Sequence, residues 1–194
     1  MDNTDLVVGV DEAGRGPWAG PLTAACVLTS EECEIEGVLD SKVLSGLRRR
    51  ELQKTIKQNA IAIGIGWASA REIDAMGLQQ ATIMAMERAY RQLPAVKARV
   101  VVDGNINYLN KFEGSESLVR ADASVESVSA ASIIAKCHRD SFMERMDVLF
   151  PEYGFASHKG YGTKEHSVAL EIYGPCMLHR RSFSPIAKQL GAQT

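Results

Sequence analysis

The sequence predicts an α/β domain built on one mixed sheet, and three observations lead to this fold class. Short apolar runs of strand length recur along the chain, and longer segments between them place apolar residues at helical spacing. The first third follows the order β-β-α-β, with the first two strands close enough in sequence to pair antiparallel. At 194 residues, the chain is long enough to bury a substantial core in one domain.

The predicted elements follow one another along most of the chain. Strands are predicted at residues 7–10, 22–28, 61–67, 100–102 and 118–119, and helices at residues 46–59, 78–93, 125–150 and 164–173. Ser69 and Glu72 have the spacing of a capping box, which predicts a short helical turn before the second helix. Pro94 and Pro151 are predicted to end the helices that precede them.

The last quarter of the chain differs in character, with glycines and aromatic residues, a short helix and then a basic, irregular tail. We therefore predict a main domain at residues 1–150 and an extension of the same domain at residues 151–194. The extension has five basic and three acidic residues, a net charge of +2, whereas the whole chain has a formal net charge of −2. Another basic run, from Arg48 to Lys57, is typical of a solvated helix face.

The composition argues against several classes of protein. The sequence has no run of 18 apolar residues, and residues 1–5 lack the basic and apolar segments of a signal peptide, so we expect a cytoplasmic protein. The four cysteines form no Cys-x-x-Cys pair, and the four histidines have no zinc spacing with them. Reduced thiols and no zinc site are the expectation.

The most abrupt change of residue type along the chain is in residues 7–21, where valines are followed by Asp11 and Glu12 and then by a glycine-rich turn. Consecutive side chains of a regular strand point to opposite faces, so both acids can serve one site only where the pleat breaks, and we expect a break here. A phosphate-binding P-loop is disfavoured, because Arg15 and Gly16 stand where it needs Lys and then Ser or Thr. A surface turn with incidental acids is the alternative at this point.

Two further predicted strands are followed by acids, Asp103 and Asp122. If the strands form one mixed sheet, these carboxylates lie at strand ends next to those of Asp11 and Glu12. Oxygen ligands without His or Cys favour a hard cation such as Mg²⁺ or Mn²⁺, and two such ions about 3.5 to 4 Å apart can promote phosphodiester cleavage. Considered one at a time, Asp103 and Asp122 fit an ordinary acid of a turn or a helix cap as well as they fit a metal ligand. The joint pattern predicts a metal site.

The motif around the first two acids resembles the signature of type 2 ribonuclease H, the ribonuclease HII family. The resemblance continues in the family's order through Asp11–Pro17, Asp40–Lys42, Glu72–Asp74, Asp103–Gly104, Ala121–Asp122, Ser129–Lys136, Arg139–Asp140, His158–Thr163 and His179–Phe183. It implies a ribonuclease H-like fold, with a central five-stranded mixed sheet flanked by helices and a helical C-terminal region beside the substrate groove. Residues 1–150 would form the catalytic domain and residues 151–194 its substrate-binding extension.

The resemblance also implies an activity. Members of the family hydrolyse the RNA strand of RNA/DNA hybrids and cut on the 5′ side of a single ribonucleotide in duplex DNA, leaving a 3′-hydroxyl and a 5′-phosphate. By similarity, Asp11, Glu12, Asp103 and Asp122 are the catalytic carboxylates and bind two Mg²⁺ or Mn²⁺ ions. The expected protein is a monomeric, metal-dependent endoribonuclease that acts in ribonucleotide excision from DNA and in RNA primer removal.

Substrate recognition is implied residue by residue. Gly14, Arg15 and Gly16 match the family segment whose backbone contacts the 2′-hydroxyl, a group that both donates and accepts hydrogen bonds. Small residues there allow the sugar to approach closely. Tyr161 resembles the family tyrosine that packs on the deoxyribose after the ribonucleotide, which helps to read the RNA-to-DNA junction.

Lys42, Lys159 and Arg180 are candidate phosphate contacts, which position a duplex without reading its sequence. Many relatives have a second lysine where this chain has Val43, and many have a lysine shortly after the position of Asp122, where this chain has none. Both departures remove positive charge near the expected groove. They concern substrate affinity rather than the chemistry.

The sequence leaves two alternative functions to consider, and also the question of protein partners. Ribonuclease HIII usually has Gly-Lys-Gly in place of Gly-Arg-Gly and an added N-terminal domain, whereas ten residues precede Asp11 here. The alternative from another class is a non-catalytic nucleic-acid-binding module with a structural cation site, and the presence of all four acids weighs against it. A sliding clamp or RNA polymerase partner is unsupported, because residues 187–194 lack the aromatic pair of a clamp-binding peptide.

Overall fold

The computed structural model describes residues 6–38 and 45–191. The expected phosphate contact Lys42 and the departure at Val43 lie outside the described residues. Strands and helices follow the predicted order, and most boundaries agree with the prediction to within a few residues. The division of the chain after residue 150 stays a prediction.

Five strands form one mixed sheet, which confirms the predicted fold class. They are β1 (Leu6–Ala13), β2 (Leu22–Ser30), β3 (Ala62–Ala68), β4 (Arg99–Asp103) and β5 (Ser115–Leu118). The strand order is β3-β2-β1-β4-β5, in which β1 pairs antiparallel with β2, as predicted, and parallel with β4. Because β4 and β5 are also parallel, the C-terminal ends of β1, β4 and β5 lie at the same edge of the sheet.

The α-helices of the described residues are α1 (Gly46–Asn59), α2 (Ala70–Tyr90), α3 (Glu126–Leu149), α4 (Phe155–His158), α5 (Lys164–Tyr173) and α6 (Ser184–Gly191). The predicted capping box of Ser69 and Glu72 is present at the start of α2. Helix α2 bends at Gly77, whose φ of 80° and ψ of 159° are not helical, so the predicted short turn and second helix follow each other directly. Within the described ranges, no helix is both long and apolar enough to cross a membrane.

Glycines allow α2 and α3 to lie close to opposite faces of the sheet. A Cβ atom at Gly66 of β3 would lie 1.9 Å from the Ala85 carbonyl oxygen of α2. On the other face, a Cβ atom at Gly9 of β1 would lie 2.0 Å from the carbonyl carbon of Ser127 in α3. Both positions therefore require glycine because backbone lies against backbone there. Helix α1 packs beside α3 on this second face.

The C-terminal extension packs against the second half of α3. Phe155 and Ile186 are fully buried in a cluster with Met143 of α3 and with Ala19 of the loop between β1 and β2. The prediction of an irregular tail is wrong at residues 184–191, which form α6. Burial of Ile186 stabilises this short helix, an effect that local propensity does not supply.

The contact at Gly66 predicts a large loss of stability when a methyl group is added. Gly66→Ala would force α2 away from β3, and we expect the free energy of unfolding to fall by about 2 kcal/mol. Gly46→Ala is the matched control, because no heavy atom lies within 4 Å of a Cβ atom at that position. Urea unfolding of both variants measures the effect, and a loss at Gly66 no larger than that at Gly46 would contradict the packing described above.

Candidate active site

Asp11 and Glu12 lie in the last part of β1, beyond its last pair with β4. The last β1–β4 pair is Val10 with Val102, whereas β1 stays paired with β2 to its end. The predicted break of the pleat at the two acids is therefore wrong, because both lie in a regular strand. They can still serve one site, since both flank the open strand edge and each interacts electrostatically with Asp103.

The other two predicted acids complete this edge. Asp103 is the last residue of β4, and Asp122 lies in a short 3₁₀ turn, Ala121–Ala123, between β5 and α3. The backbone N–H of Asp122 donates to Asp103 Oδ1 at 3.4 Å, which connects the two segments. The structure thus brings the four predicted carboxylates to one edge of the sheet.

The surroundings of the acids on β1 disfavour their negative charges. Burial raises the pKa of Asp11 well above its usual range, and the charges of Glu12 and Asp103 raise it further. The Ser132 hydroxyl, which donates a hydrogen bond to Asp11, opposes this shift. Burial also raises the pKa of Glu12, with an opposing effect from Arg15.

The chemistry of these donors fits a hard divalent cation. Carboxylate oxygens are the ligands that Mg²⁺ and Mn²⁺ prefer, and a cation beside them offsets both burial and mutual repulsion. Among the described residues, however, no three Asp, Glu, His or Cys side chains are grouped closely enough to form a complete ion site. The assignment of the four acids as metal ligands stays a prediction, which donor type, burial and charge support.

The loop after β1 contains the glycines that were predicted to approach a sugar. Gly14 has a φ of 93°, and a Cβ atom there would lie 2.0 Å from Arg139 Nε, so packing inside the protein already requires this glycine. Gly16 is exposed, and a Cβ atom there would meet Tyr161 at 3.9 Å with no other described residue inside 4 Å. Internal packing does not explain the glycine at this position, which fits the close approach of a ligand.

The Arg15 side chain connects this loop to α2 and to the segment after β4. Its Nη1 donates to the Tyr108 hydroxyl at 2.9 Å and to Thr82 Oγ1 at 3.5 Å. The same nitrogen lies 3.6 Å from Glu12 Oε1. Arg15 therefore restrains Glu12 on the sheet face covered by α2, whereas Asp11 contacts α3 through Ser132.

Tyr161 lies in a turn that packs against the same loop. The Trp18 N–H donates to the Gly160 carbonyl at 2.8 Å, and a Cβ atom at Gly162 would lie 2.1 Å from the Trp18 ring. Tyr161 is 45% exposed and lies beside Gly16. The structure therefore brings together the loop and the tyrosine that were predicted to contact neighbouring sugars.

A chain of hydrogen bonds supports the Tyr161 turn from inside the protein. The Cys176 N–H donates to His179 Nδ1 at 2.9 Å, so His179 Nε2 carries the hydrogen and donates to His166 Nε2 at 2.9 Å. His166 Nδ1 then donates to the Tyr161 carbonyl at 2.9 Å. This chain requires both imidazoles to be neutral. Burial, as the main cause, lowers the pKa of each to about 4.

The predicted phosphate contacts differ in accessibility. Lys159 is partly exposed, and its Nζ donates to Glu144 Oε1 at 3.0 Å. Arg180 is fully buried, and its guanidinium donates to three carbonyl groups of the loop after β1. These contacts correct the expectation for Arg180, because its charge lies beneath the loop rather than on the surface that a phosphate can reach.

A groove lined by basic residues connects Glu12 with Lys159. One cavity of about 260 Å³ is lined by Glu12, Arg49, Lys136 and Tyr161, and an adjoining cavity of about 380 Å³ shares the last three and extends to Lys159. A larger cavity of about 760 Å³ lies at the other end of β1 and includes none of the predicted site residues. Chemistry rather than volume therefore identifies the candidate site.

Three residues that contact the predicted site had no role assigned from the sequence: Ser132, Arg139 and Tyr108. Ser132 and Arg139 are about two helical turns apart on the face of α3 that covers β1, so helical spacing is a signal that could have identified them together. Tyr108 lies in the segment after β4, and no local pattern distinguishes it from other loop tyrosines.

Solved structures define the class of protein. Ribonuclease H2 from Pyrococcus horikoshii is similar over 96% of this chain and 98% of that chain, with a TM-score of 0.80 and 28% sequence identity. The ribonuclease HII in a complex with PCNA from Archaeoglobus fulgidus is similar over 92% of this chain and 95% of that chain, with a TM-score of 0.76 and 26% identity. The fold is thus the ribonuclease H-like fold of these nucleases.

Sequence comparison then identifies the family. The sequence pattern of ribonuclease HII matches residues 8–186. Ribonuclease HII of Nitrosospira multiformis is 49% identical over 180 residues, which cover 93% of this chain and 90% of that protein. The chain belongs to the ribonuclease HII family and is a ribonuclease H-type hydrolase that acts on phosphodiester bonds.

The histidine chain beneath Tyr161 predicts a loss of stability at mildly acidic pH. His166 and His179 have pKa values of about 4 in the folded protein, below the ordinary 6.5, so the unfolded chain binds more protons between these values. Their contribution is complete above pH 6.5 and is lost as the pH falls towards 4, by about 3 kcal/mol for each histidine. Urea unfolding across this pH range measures the loss.

His179→Asn provides the comparison, because asparagine keeps a side-chain acceptor and donor but does not titrate. We expect the stability of this variant to depend less on pH in the same range than that of the wild type. Equal pH dependence of the two proteins would show that His179 does not contribute in this way.

Proposed function

We propose that this chain is an endoribonuclease that hydrolyses the RNA strand of RNA/DNA hybrids and cuts on the 5′ side of single ribonucleotides in duplex DNA. One observation carries the proposal: the open strand edge at Glu12 continues directly into the exposed Gly16, which lies beside the exposed Tyr161. A ribonucleotide whose sugar lies at this loop has its phosphodiester close to the acidic edge. Recognition and hydrolysis would therefore share one turn of the chain.

Asp11, Glu12, Asp103 and Asp122 would hold two divalent cations, Mg²⁺ or Mn²⁺. When bound, such ions supply an activated water and stabilise the leaving oxygen of the phosphodiester, giving 3′-hydroxyl and 5′-phosphate products. The chain contributes the alignment of the carboxylates.

Two contacts provide that alignment on opposite faces of β1. The Ser132 hydroxyl donates to the carboxylate of Asp11 on the side of α3. On the side of α2, the guanidinium of Arg15, anchored on Tyr108, lies 3.6 Å from Glu12 Oε1. The two acids are thus restrained independently, which keeps both directed at the open edge where β4 ends.

Ribonucleotide recognition would use the backbone of Gly14, Arg15 and Gly16 and the ring of Tyr161. A 2′-hydroxyl can be read by backbone donors and acceptors, and a deoxyribose lacks this group. The exposed Tyr161 ring would pack on the next sugar and so distinguish an RNA-to-DNA junction from continuous RNA.

The phosphates of the duplex would be positioned along the basic groove by Lys159 and also by Lys136, which lines both of its cavities. The ammonium groups of these lysines pair with Glu144 at 3.0 Å and with Asp140 at 2.6 Å. Phosphate oxygens would compete with these carboxylates, so binding is expected to weaken as salt rises. We further propose a monomer that acts in the cytoplasm in ribonucleotide excision and primer removal.

Product mapping tests the proposal directly. We expect the wild-type protein, given Mg²⁺ or Mn²⁺, to cut duplex DNA that contains one ribonucleotide on the 5′ side of that ribonucleotide, and to cut nothing without a divalent ion. Asp11→Asn should lower the cleavage rate by about a thousandfold or more, because loss of one preorganised electrostatic contact already costs about 10² to 10³ in rate. Single-turnover kinetics and gel mapping of the products measure both effects.

Two further readouts separate chemistry from folding in this experiment. Asp11→Asn should unfold at the same or a higher temperature in metal-free buffer, because it removes a buried charge that is repelled by its neighbours. Glu171→Gln, at an exposed position of α5, is the control and should cleave normally. Near-normal turnover of the Asp11 variant would disprove its assignment as a metal ligand, and cleavage on the 3′ side would disprove the proposed specificity.

Tyr161→Ala should reduce cleavage at a single embedded ribonucleotide about tenfold more than cleavage of a long RNA/DNA hybrid, because stacking on a nucleotide contributes about 1 to 3 kcal/mol. The ratio of kcat/KM for the two substrates measures this selectivity. Tyr173→Ala is the matched control, since Tyr173 is 59% exposed on the same extension. Equal losses on both substrates would mean that Tyr161 does not read the junction.

A further inference from the structure

Arg180 is a buried cation with an unusual set of partners. Its side chain is fully buried, and its three guanidinium nitrogens donate to the carbonyl groups of Gly20 at 3.0 Å, Arg15 at 2.9 Å and Gly14 at 2.6 Å. Within the described residues, Arg180 forms no ion pair with a carboxylate. Its charge is stabilised by the carbonyl oxygens of the loop that follows the two acids of β1, and also by electrostatic attraction to Asp74.

The geometry of the peptide bond determines what these contacts do to the loop. The Gly14 carbonyl shares a peptide group with the N–H of Arg15, and the Arg15 carbonyl shares one with the N–H of Gly16. In a trans peptide the carbonyl and the N–H point in opposite directions, and the described residues contain no cis peptide bond. By holding both carbonyls inward, Arg180 directs two consecutive N–H groups outward. No hydrogen bond of the described residues uses either N–H.

A second buried arginine makes this arrangement rigid. Arg139 of α3 donates to the carbonyl groups of Pro21 at 2.9 Å, Ala19 at 3.0 Å and Lys159 at 2.9 Å. It thus joins the far end of the loop to the turn that carries Tyr161. Burial and the like charge of Arg139 lower the pKa of Arg180 to about 9, so Arg180 still carries its charge at neutral pH.

We propose that Arg180 is a positioning residue for ribose recognition: it holds the Gly14 and Arg15 carbonyls inward so that the N–H groups of Arg15 and Gly16 face the 2′-hydroxyl oxygen of the substrate. This inference rests on the proposed function. A guanidinium suits the task because its planar fork serves several carbonyls at once, and its charge polarises both peptide groups and makes their N–H groups better donors. A lysine in its place keeps the charge but loses the fixed fork.

Binding without cleavage tests the proposal. In metal-free buffer with EDTA, the affinity of the full chain is measured for a short duplex DNA with one ribonucleotide and for the same duplex made entirely of DNA. We expect Arg180→Lys to lower the ratio of the two affinities about tenfold, because two oriented hydrogen-bond donors are lost from the ribose contact. Affinity for the all-DNA duplex should be unchanged, since phosphate contacts lie elsewhere in the groove.

Arg181→Lys is the matched control, because Arg181 is the exposed neighbour on the same segment and should keep the wild-type ratio. If a folded Arg180→Lys protein keeps the wild-type ratio of the two affinities, the proposed role of Arg180 is overturned, whereas the proposed function is not. A wild-type protein that binds both duplexes equally would overturn ribose recognition by this loop, and the role of Arg180 with it.

A measurement on the wild type keeps the test decisive if the Arg180 variant does not fold. We expect the backbone amide signals of Arg15 and Gly16, and the guanidinium signals of Arg180, to shift in NMR spectra when the ribonucleotide-containing duplex binds. The all-DNA duplex should shift them much less. Equal shifts with both duplexes, or no shift with either, would overturn the proposal.

Discussion

The contact of α3 with β1 at Gly9 places most of the candidate site. At this contact a Cβ atom would lie 2.0 Å from the backbone of Ser127, so the helix lies directly on the strand and follows it towards its C-terminal end. The same face of α3 then meets Asp11 through Ser132 and the loop at Gly14 through Arg139. The turn that contains the fourth acid immediately precedes α3, so the helix position also sets the distance between that acid and the end of β4.

Charges of opposite sign lie on the two sides of the loop after β1, and the protein stabilises them differently. Asp11 and Glu12 are buried next to each other, and burial raises the pKa of both carboxyl groups, an effect that Ser132 and Arg15 oppose. Arg139 and Arg180, by contrast, each have three carbonyl acceptors. These carbonyls belong to segments outside the sheet, where strand pairing does not satisfy them, so the buried arginines and the loop supply each other's hydrogen bonds. A cation bound beside these two carboxylates would offset the cost of their burial.

Much of the fold could be predicted because the decisive signals are local. The capping box of Ser69 and Glu72, the short connection from β1 to β2 and the apolar spacing of α3 each involve residues close in sequence. The candidate acids could also be found, since each of the parallel strands that ends at this edge leads into an acid. The helix at residues 184–191 was missed because its formation depends on burial of Ile186 against distant residues.

The sequence by itself determined which acids lie at or just after strand ends, because apolar patterning marks where each strand stops. That these acids meet at one edge depends on the strand order, which was observed only in the structure. Only the tertiary structure decided the direction of individual side chains. Arg180 has the sequence context of a surface cation, yet it donates to a carbonyl group 165 positions away in the chain. No local pattern encodes that contact, because it exists only after the extension has packed on α3 and has enclosed the guanidinium beneath the loop. The same packing places Arg139 against Gly14, so that a side chain at position 14 would clash within the protein. The space beside Gly16, in contrast, is open to a ligand.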